Sequence, residues 1–375
     1  MGPMREYTVL GLMSGSSLDG VDAAVCRFAF QGNSPVPESW SIIAADTLPY
    51  TTAWAERLAA LPSADAYELA LAHAELGRYF GEQAKLFLSQ SGIESIDAIA
   101  SHGHTIFHYP EHQMTLQIGD GAAMAGVTGI TTIDQFRSQD MSLGGQGAPI
   151  APIADQLLFP EQDFMLNLGG IANISAKRQD GYVAFDITGA NQVLNALCAE
   201  LGLPYDKGGA IARSGRMIPA LFEKVNALPY HHQPYPKSLG NDWVREAHIP
   251  IYQQWGAAVE DRLHTACRQI GHHTAMAVAA IIKRERVSTQ RPLQLLATGG
   301  GAFNSFLMDC IQESCQALSL GLNVAPASSQ LINFKEALLM ALMGALRLQG
   351  LPNVLPSVTG SRRPVSGGAL HLGQL

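Results

Sequence analysis

Charge, cysteine and long apolar runs are all scarce in this chain. Of its 375 residues only 15% are charged, and acidic groups outnumber basic ones, 32 against 24, for a formal charge of −8. A nucleic-acid footprint needs clustered Lys and Arg to neutralise phosphates, and the densest basic stretch, Lys283-Arg284-Glu285-Arg286, reads as a solvated helix end. With 47% hydrophobic residues, the chain is no disordered polyelectrolyte either. The five cysteines, Cys26, Cys198, Cys267, Cys310 and Cys315, are odd in number, scattered and never spaced C-x-x-C, which fits neither a disulfide framework nor a zinc ribbon. Nowhere do ~18 apolar residues run together as a bilayer-spanning helix requires. Residues 1–6 hold no apolar signal core, and Glu6 stands where a myristoylation match needs Ser or Thr. The expected setting is reducing and cytoplasmic, with no membrane or nucleic-acid partner. Two common phosphate-binding signatures, G-x-x-x-x-G-K-[ST] and G-x-G-x-x-G, are absent as well.

Glycine, by contrast, is plentiful. Many of the 37 glycines fall in short clusters directly after apolar runs, where a strand has to turn tightly. At ~150 residues per domain the length favours two domains. Residues 7–12 and 21–30 read as a hairpin, residues 64–90 as a long amphipathic helix opened by the Asp65/Glu68 cap, and residues 98–101, 115–118 and 130–133 as short strands. A second strand, turn, strand series at residues 164–168, 171–175 and 182–185 repeats the opening of the first. A helix is expected from about residue 191, then helices at 259–282, 304–317 and 335–349 and a strand at 293–296. Residues 226–250, with four prolines, read as loop, a lid or a substrate-facing insertion.

Three turns after strands carry the chemistry: Ser14-Gly15-Ser16-Ser17-Leu18-Asp19-Gly20, Asn167-Leu168-Gly169-Gly170-Ile171, and Thr298-Gly299-Gly300-Gly301-Ala302. Each presents backbone N–H groups without Cβ obstruction, which suits anions or a close-packed nucleotide. His102, His104 and His108 have a spacing open to metal binding, but no Cys or carboxylate completes a site. His231-His232 and His272-His273 are expected at the surface, and Cys310 and Cys315 as buried thiols on one helix.

The segment from Gly11 through the first turn to Val21-Asp22 closely resembles the first phosphate loop of the anhydro-N-acetylmuramic acid kinases, in the sugar-kinase branch of the actin/hexokinase-like ATPase fold. Ser101-His102-Gly103-His104-Thr105, Gln117-Ile118-Gly119, Asp134-Gln135-Phe136-Arg137 with Asp140, Gly144-Gly145-Gln146-Gly147-Ala148-Pro149, Asn167-Leu168-Gly169-Gly170 and Gly299-Gly300-Gly301-Ala302-Phe303-Asn304 are similar to its other signatures. The resemblance spans residues 11–368. It implies two α/β domains with a ligand cleft between them, residues 1–130 completed by 350–375, and residues 131–349.

It also implies ATP and Mg²⁺ as cofactors and the hydrolytic opening of a 1,6-anhydro sugar. Water attacks the anomeric carbon while the freed O6 takes the γ-phosphoryl group, giving N-acetylmuramic acid 6-phosphate and ADP, a step of cell-wall sugar recycling. In the family the base sits in Asp-Thr-Gly-Pro-Gly-Asn, matched here by Asp186-Ile187-Thr188-Gly189-Ala190-Asn191 with an altered interior. The resemblance thus implies Asp186 as base and Glu336 as second carboxylate. Ser14 to Asp22 would surround the phosphates, with Asp19 meeting Mg²⁺ through water, and Gly169, Gly170 and Gly299 to Gly301 would complete the ATP site. His104, Thr105, Arg137, Asp140 and Asn191 would address the sugar, Arg137 offering its guanidinium fork to a lactyl carboxylate. A homodimer is compatible with the resemblance. Rival readings are a kinase of another anhydro sugar such as 1,6-anhydroglucose, an ordinary hydroxyl-directed sugar kinase, and a non-catalytic nucleotide-binding protein of the same fold. Taken alone, Asp186 reads as a helix cap and Glu336 as a solvated charge.

Overall fold

The computed structural model describes residues 2–15, 18–178 and 181–374. Ser16 and Ser17, expected in the first phosphate loop, lie outside the described residues. By its internal contacts the chain divides into two compact units, Met1–Phe159 with Phe334–Leu375, and Pro160–Asn333.

The first unit opens with strands β1 (Met4–Ser14), β2 (Gly20–Gln31), β3 (Ser39–Pro49), β4 (Ala98–Tyr109), β5 (Met114–Ile118) and β6 (Thr132–Asp134). The second carries β7 (Phe164–Leu168), β8 (Ile171–Arg178), β9 (Gly181–Gly189), β10 (Leu293–Thr298) and β11 (Leu322–Pro326). The chain then returns to the first unit and ends in β12 (Ala369–His371). Along the first sheet the order is β12-β6-β4-β1-β2-β3, with β5 hairpinned onto β4; along the second it is β11-β10-β7-β8-β9. Each sheet therefore has an antiparallel meander of three strands whose first member pairs in parallel with a later strand, β1 with β4 and β7 with β10. The repeat expected from the openings of the two halves extends over five strands, β6-β4-β1-β2-β3 matching β11-β10-β7-β8-β9, with β5 and β12 additional in the first sheet.

Central strands are buried on both faces and read as continuous apolar runs, as Leu10 and Leu12 of β1 and Ala23 and Val25 of β2 do. The first core collects these residues with Leu76 and Phe80 of the Ala66–Gln90 helix, whose N-cap Asp65 accepts from the Glu68 N–H as its sequence announces. The expected domain borders at 130/131 and 349/350 move to 159/160 and 333/334. Sheet pairing is the reason, because β6 joins both β4 and β12. The helix Ser329–Leu348 starts earlier than its pattern suggests and is interrupted at Phe334 (φ −119°, ψ 16°), where the chain crosses from one unit to the other. After the crossing it lies directly on β1: a Cβ at Gly11 would stand 1.9 Å from the Ala337 carbonyl oxygen, so only glycine permits the approach. That approach brings Glu336 within reach of the Asp22 charge at the start of β2.

Residues 226–250 are the expected loop only in part, chiefly over residues 233–240. Pro229–His232 forms a 3₁₀ turn, and Asn241–Trp243, a π-helical turn Val244–His248 and Ile249–Gln253 run on as one helical stretch. Pro229 sits in the first turn of its 3₁₀ segment, where the missing N–H is no loss, and Pro250 lies inside the helical stretch just after its π-helical turn, where the ladder is already irregular. Among the described residues no helix is long and apolar enough to cross a membrane.

Candidate active site

In the second unit three chain segments converge at the ends of β7, β9 and β10. The Gly169 and Gly170 carbonyls accept from the Asn191 and Ala190 N–H groups at 3.1 and 2.8 Å, and Asn191 Nδ2 donates to the Leu168 carbonyl at 2.9 Å. Gly299 completes the group in the left-handed region (φ 78°), where a Cβ would meet Asn167 Oδ1 at 2.5 Å. The glycine turns expected to hold nucleotide, residues 169–170 and 299–301, are thus neighbours. Asn191, expected on the sugar, has its amide committed to tying the turns together.

Asp186 stands at a β-bulge. Asn173 pairs with Asp186 and Ala172 with Thr188, leaving Ile187 as the extra residue on β9, the kind of irregularity that re-aims a side chain. Ser238 Oγ and the Leu239 N–H donate to Asp186 Oδ2 at 2.9 and 2.8 Å. Among the described residues Oδ1 keeps its lone pairs. The helix-cap reading of Asp186 does not hold, since the Asn191–Ala199 helix is preceded by Ala190 and has no side-chain cap. Tyr230 O–H donates to the Asp186 carbonyl at 2.7 Å, and the Asp186 N–H donates to the Lys237 carbonyl. None of these partners is legible beforehand, because they lie 44 to 53 residues away in the supposed loop.

In the first unit, Ser14 Oγ lies between Tyr50 Oη at 2.7 Å and His104 Nδ1 at 2.8 Å. Its hydroxyl is turned into the protein, and burial lowers the His104 pKa. Leu18 adopts a left-handed conformation (φ 58°) at the loop tip and packs on the core, while Gly20, Val21 and Asp22 already belong to β2. Thr47 Oγ1 donates to Asp22 Oδ1 at 2.6 Å; burial holds the Asp22 carboxyl above its ordinary range, opposed by that bond and reinforced by Asp19. Glu336 reaches solvent, yet the surrounding protein strips much of its hydration. Its pKa is raised by that loss first and by Asp22 next, against Lys335 and Arg137. Burial lowers the Arg137 pKa, and Glu336 counters it. His102 Nε2 and Arg137 Nε are buried without a hydrogen-bond partner among the described residues, and burial followed by the Arg137 charge takes the His102 pKa down to about 3. Thr105 accepts from Gln117 Nε2 at 3.3 Å.

Two expectations need correction. Asp140, read as a sugar contact, is wholly buried and accepts from the Gly147 N–H and Thr359 Oγ1, both at 2.8 Å, so it braces the turn of residues 144–149. His231 and His273 are half-buried rather than surface residues, their rings stacked at 3.9 Å with His248 fully buried beside His231. The 226–250 segment folds over that face of the Val259–Glu285 helix. All five cysteines are buried thiols. Among the described residues no group of three His, Cys, Asp or Glu is placed to hold a metal ion.

Glycine turns on strand ends and a carboxylate oriented by two donors are the equipment of phosphoryl transfer, in which positioning and electrostatics carry the catalysis. Comparison with known proteins gives the class more narrowly. The family profile of the anhydro-N-acetylmuramic acid kinases matches residues 7–373. The enzyme of that name from Gloeobacter violaceus is 33% identical over 395 residues, covering 98% of this chain and 99% of that relative. Its namesake from Aliivibrio fischeri is 34% identical over 387 residues, covering 98% and 99%. Among solved structures, an activator of 2-hydroxyisocaproyl-CoA dehydratase from Clostridium difficile with bound ADPNP aligns at TM-score 0.40 and 14% identity, over 92% of this chain and 97% of that one. A hexokinase from Schistosoma mansoni complexed with glucose aligns at 0.37 and 11%, over 90% and 85%. The chain is an ATP-dependent sugar kinase. It belongs to the anhydro-N-acetylmuramic acid kinase family.

Proposed function

We propose that the protein uses ATP to open 1,6-anhydro-N-acetylmuramic acid with water, yielding N-acetylmuramic acid 6-phosphate and ADP. The observation that carries this reading is the Asp186 carboxylate, held through Oδ2 by Ser238 and Leu239 with Oδ1 left to take a proton. Water is a weak nucleophile, so a positioned base is the first requirement. Asp186 removes a proton from the water, the water oxygen bonds to the anomeric carbon, the C1–O6 bond breaks, and O6 bonds to the γ-phosphorus as ADP leaves. Glu336 is the second carboxylate of the reaction. Asn191 and the turns at residues 169–170 and 299–301 set the backbone that receives the nucleotide. Asp19, on the first glycine turn, would meet a hard divalent cation through water; when bound, Mg²⁺ would supply charge neutralisation at the phosphates. Arg137, buried and facing no hydrogen-bond acceptor at Nε among the described residues, suits the lactyl carboxylate of the sugar. A cytoplasmic setting and a homodimer complete the reading, the latter open to light scattering.

The test is ADP release with Mg²⁺ and ATP, comparing 1,6-anhydro-N-acetylmuramic acid, 1,6-anhydroglucose, N-acetylmuramic acid and no sugar. Stimulation by the first alone, reduced about 10³-fold in Asp186→Asn, is the expected result. Oxygen-18 from solvent must appear at C1; its absence would replace this reading with a hydroxyl-directed kinase.

A further inference from the structure

Residues Tyr230 and His231 are consecutive on the Pro229–His232 turn, and they grip β9 on either side of its bulge. Tyr230 donates to the Asp186 carbonyl at 2.7 Å, and His231 Nε2 lies 3.1 Å from Thr188 Oγ1. The direction of the second bond follows from its neighbours. His231 Nδ1 sits 3.1 Å from the Val225 carbonyl, which can only accept, so in the neutral ring Nδ1 carries the hydrogen and Nε2 is the acceptor. Thr188 therefore donates to His231 and must accept in turn, which Gln269 Nε2 satisfies at 3.1 Å. Gln269 Nε2 also lies 3.4 Å from His231 Nε2, a longer second contact, so the polar network runs from Gln269 to His231, chiefly through Thr188, and on to the Val225 carbonyl.

Packing keeps the imidazole in place. Its face stacks on His273, which is itself 2.8 Å from Asn226 Oδ1. The end of the strand meets the same wall, since a Cβ at Gly189 would lie 2.6 Å from His248 Nδ1. A bulged residue leaves a strand free to bend locally. Here the residues flanking Ile187 are both hydrogen-bonded to one short turn, so the bulge cannot rock and the carboxylate between the clamps keeps its aim.

We propose that His231 is a positioning residue for the reaction: by accepting the Thr188 hydroxyl it fixes the strand end that carries Asp186. The proposal rests on the reading of Asp186 as the base. It separates from a merely structural polar network because displacement of a reacting group by about 1 Å costs ~10²-fold in turnover, whereas a structural network affects stability alone.

The glutamine amide can place an oxygen near the Nε2 position, and the asparagine amide can place a donor near Nδ1. His231→Gln is therefore expected to keep kcat within about threefold, while His231→Asn and Thr188→Val each lower kcat about 10- to 100-fold with the KM for ATP and sugar unchanged, and Thr188→Ser restores it. The double variant, Thr188→Val with His231→Asn, is expected to be no slower than either single one, because both break the same link. Wild-type kcat in folded Thr188→Val, or losses that multiply in the double variant, overturns the proposal. Asp186→Asn measured alongside keeps the two readings apart. If it retains turnover, the base assignment fails; if it is inactive while Thr188→Val is not impaired, the positioning role fails. Should His231→Asn not fold, the Thr188 pair decides alone.

Discussion

Asp186 and Glu336 are treated differently by their surroundings. Asp186 receives two hydrogen bonds on one oxygen, whereas Glu336 is raised by lost hydration and by the Asp22 charge. A carboxyl whose folded pKa stands above its ordinary 4.5 binds more protons folded than unfolded across that window. Stability from this group is therefore greatest below 4.5 and falls as pH rises through the folded value. Glu336→Gln is expected to raise the melting temperature at pH 8 while lowering turnover about tenfold or more, a gain and loss read by calorimetry and ADP release. A variant that melts earlier would refute the electrostatic account. The sequence makes both carboxylates visible as candidates, Asp186 through its motif and Glu336 through its place in Phe334-Lys335-Glu336-Ala337. It could not separate their environments, which depend on Ser238, Leu239, Asp22 and Arg137 from other parts of the chain.

Turns and helices were readable in proportion to how local their causes are. The Asp65 cap and the long helix after it follow from side chains three residues away. The segment at 226–250 misled in part because Pro229 and Pro250 count as breakers in sequence, whereas Pro229 opens a 3₁₀ turn and Pro250 is carried within a helical stretch behind a π-helical turn; Pro234 and Pro236 lie in irregular chain as expected. Asp140 shows the same limit, since its place after Asp134-Gln135-Phe136-Arg137 invited a sugar-binding reading while the fold buries that carboxylate under Gly147 and Thr359. Asp140→Asn should therefore cost about 2 kcal/mol of stability and leave the sugar KM unchanged. A raised KM in urea-stable protein would return Asp140 to the substrate.

Burial lowers the pKa values of eight histidines, His104, His108, His264 and His272 among them, and takes four of them far down: His102 to about 3, His231 to about 4, His248 to about 3 and His273 to about 2. The same groups titrate near 6.5 when unfolded, so between these values the unfolded chain binds more protons and stability falls as pH drops below 6.5. Unfolding at pH 5 should take up about four protons from these last four groups, measurable from the pH dependence of the denaturation midpoint. An uptake near zero would mean the rings are solvated. The count of twelve histidines offered no such forecast, because burial is a property of the packed chain.

The sequence by itself determined the α/β class, the repeat of strand, turn, strand openings, the positions of the glycine turns and the family to which they belong. Each of these rests on local patterns, where period, turn chemistry and capping act within a few residues. Only the tertiary structure decided that five strands of each sheet share one order, that the unit borders fall at 159/160 and 333/334, and that Tyr230, His231, Ser238 and Leu239 close around the end of β9. Those are long-range pairings. They are chosen by which buried donors and acceptors find partners once the core has formed, and no spacing along the chain encodes that choice.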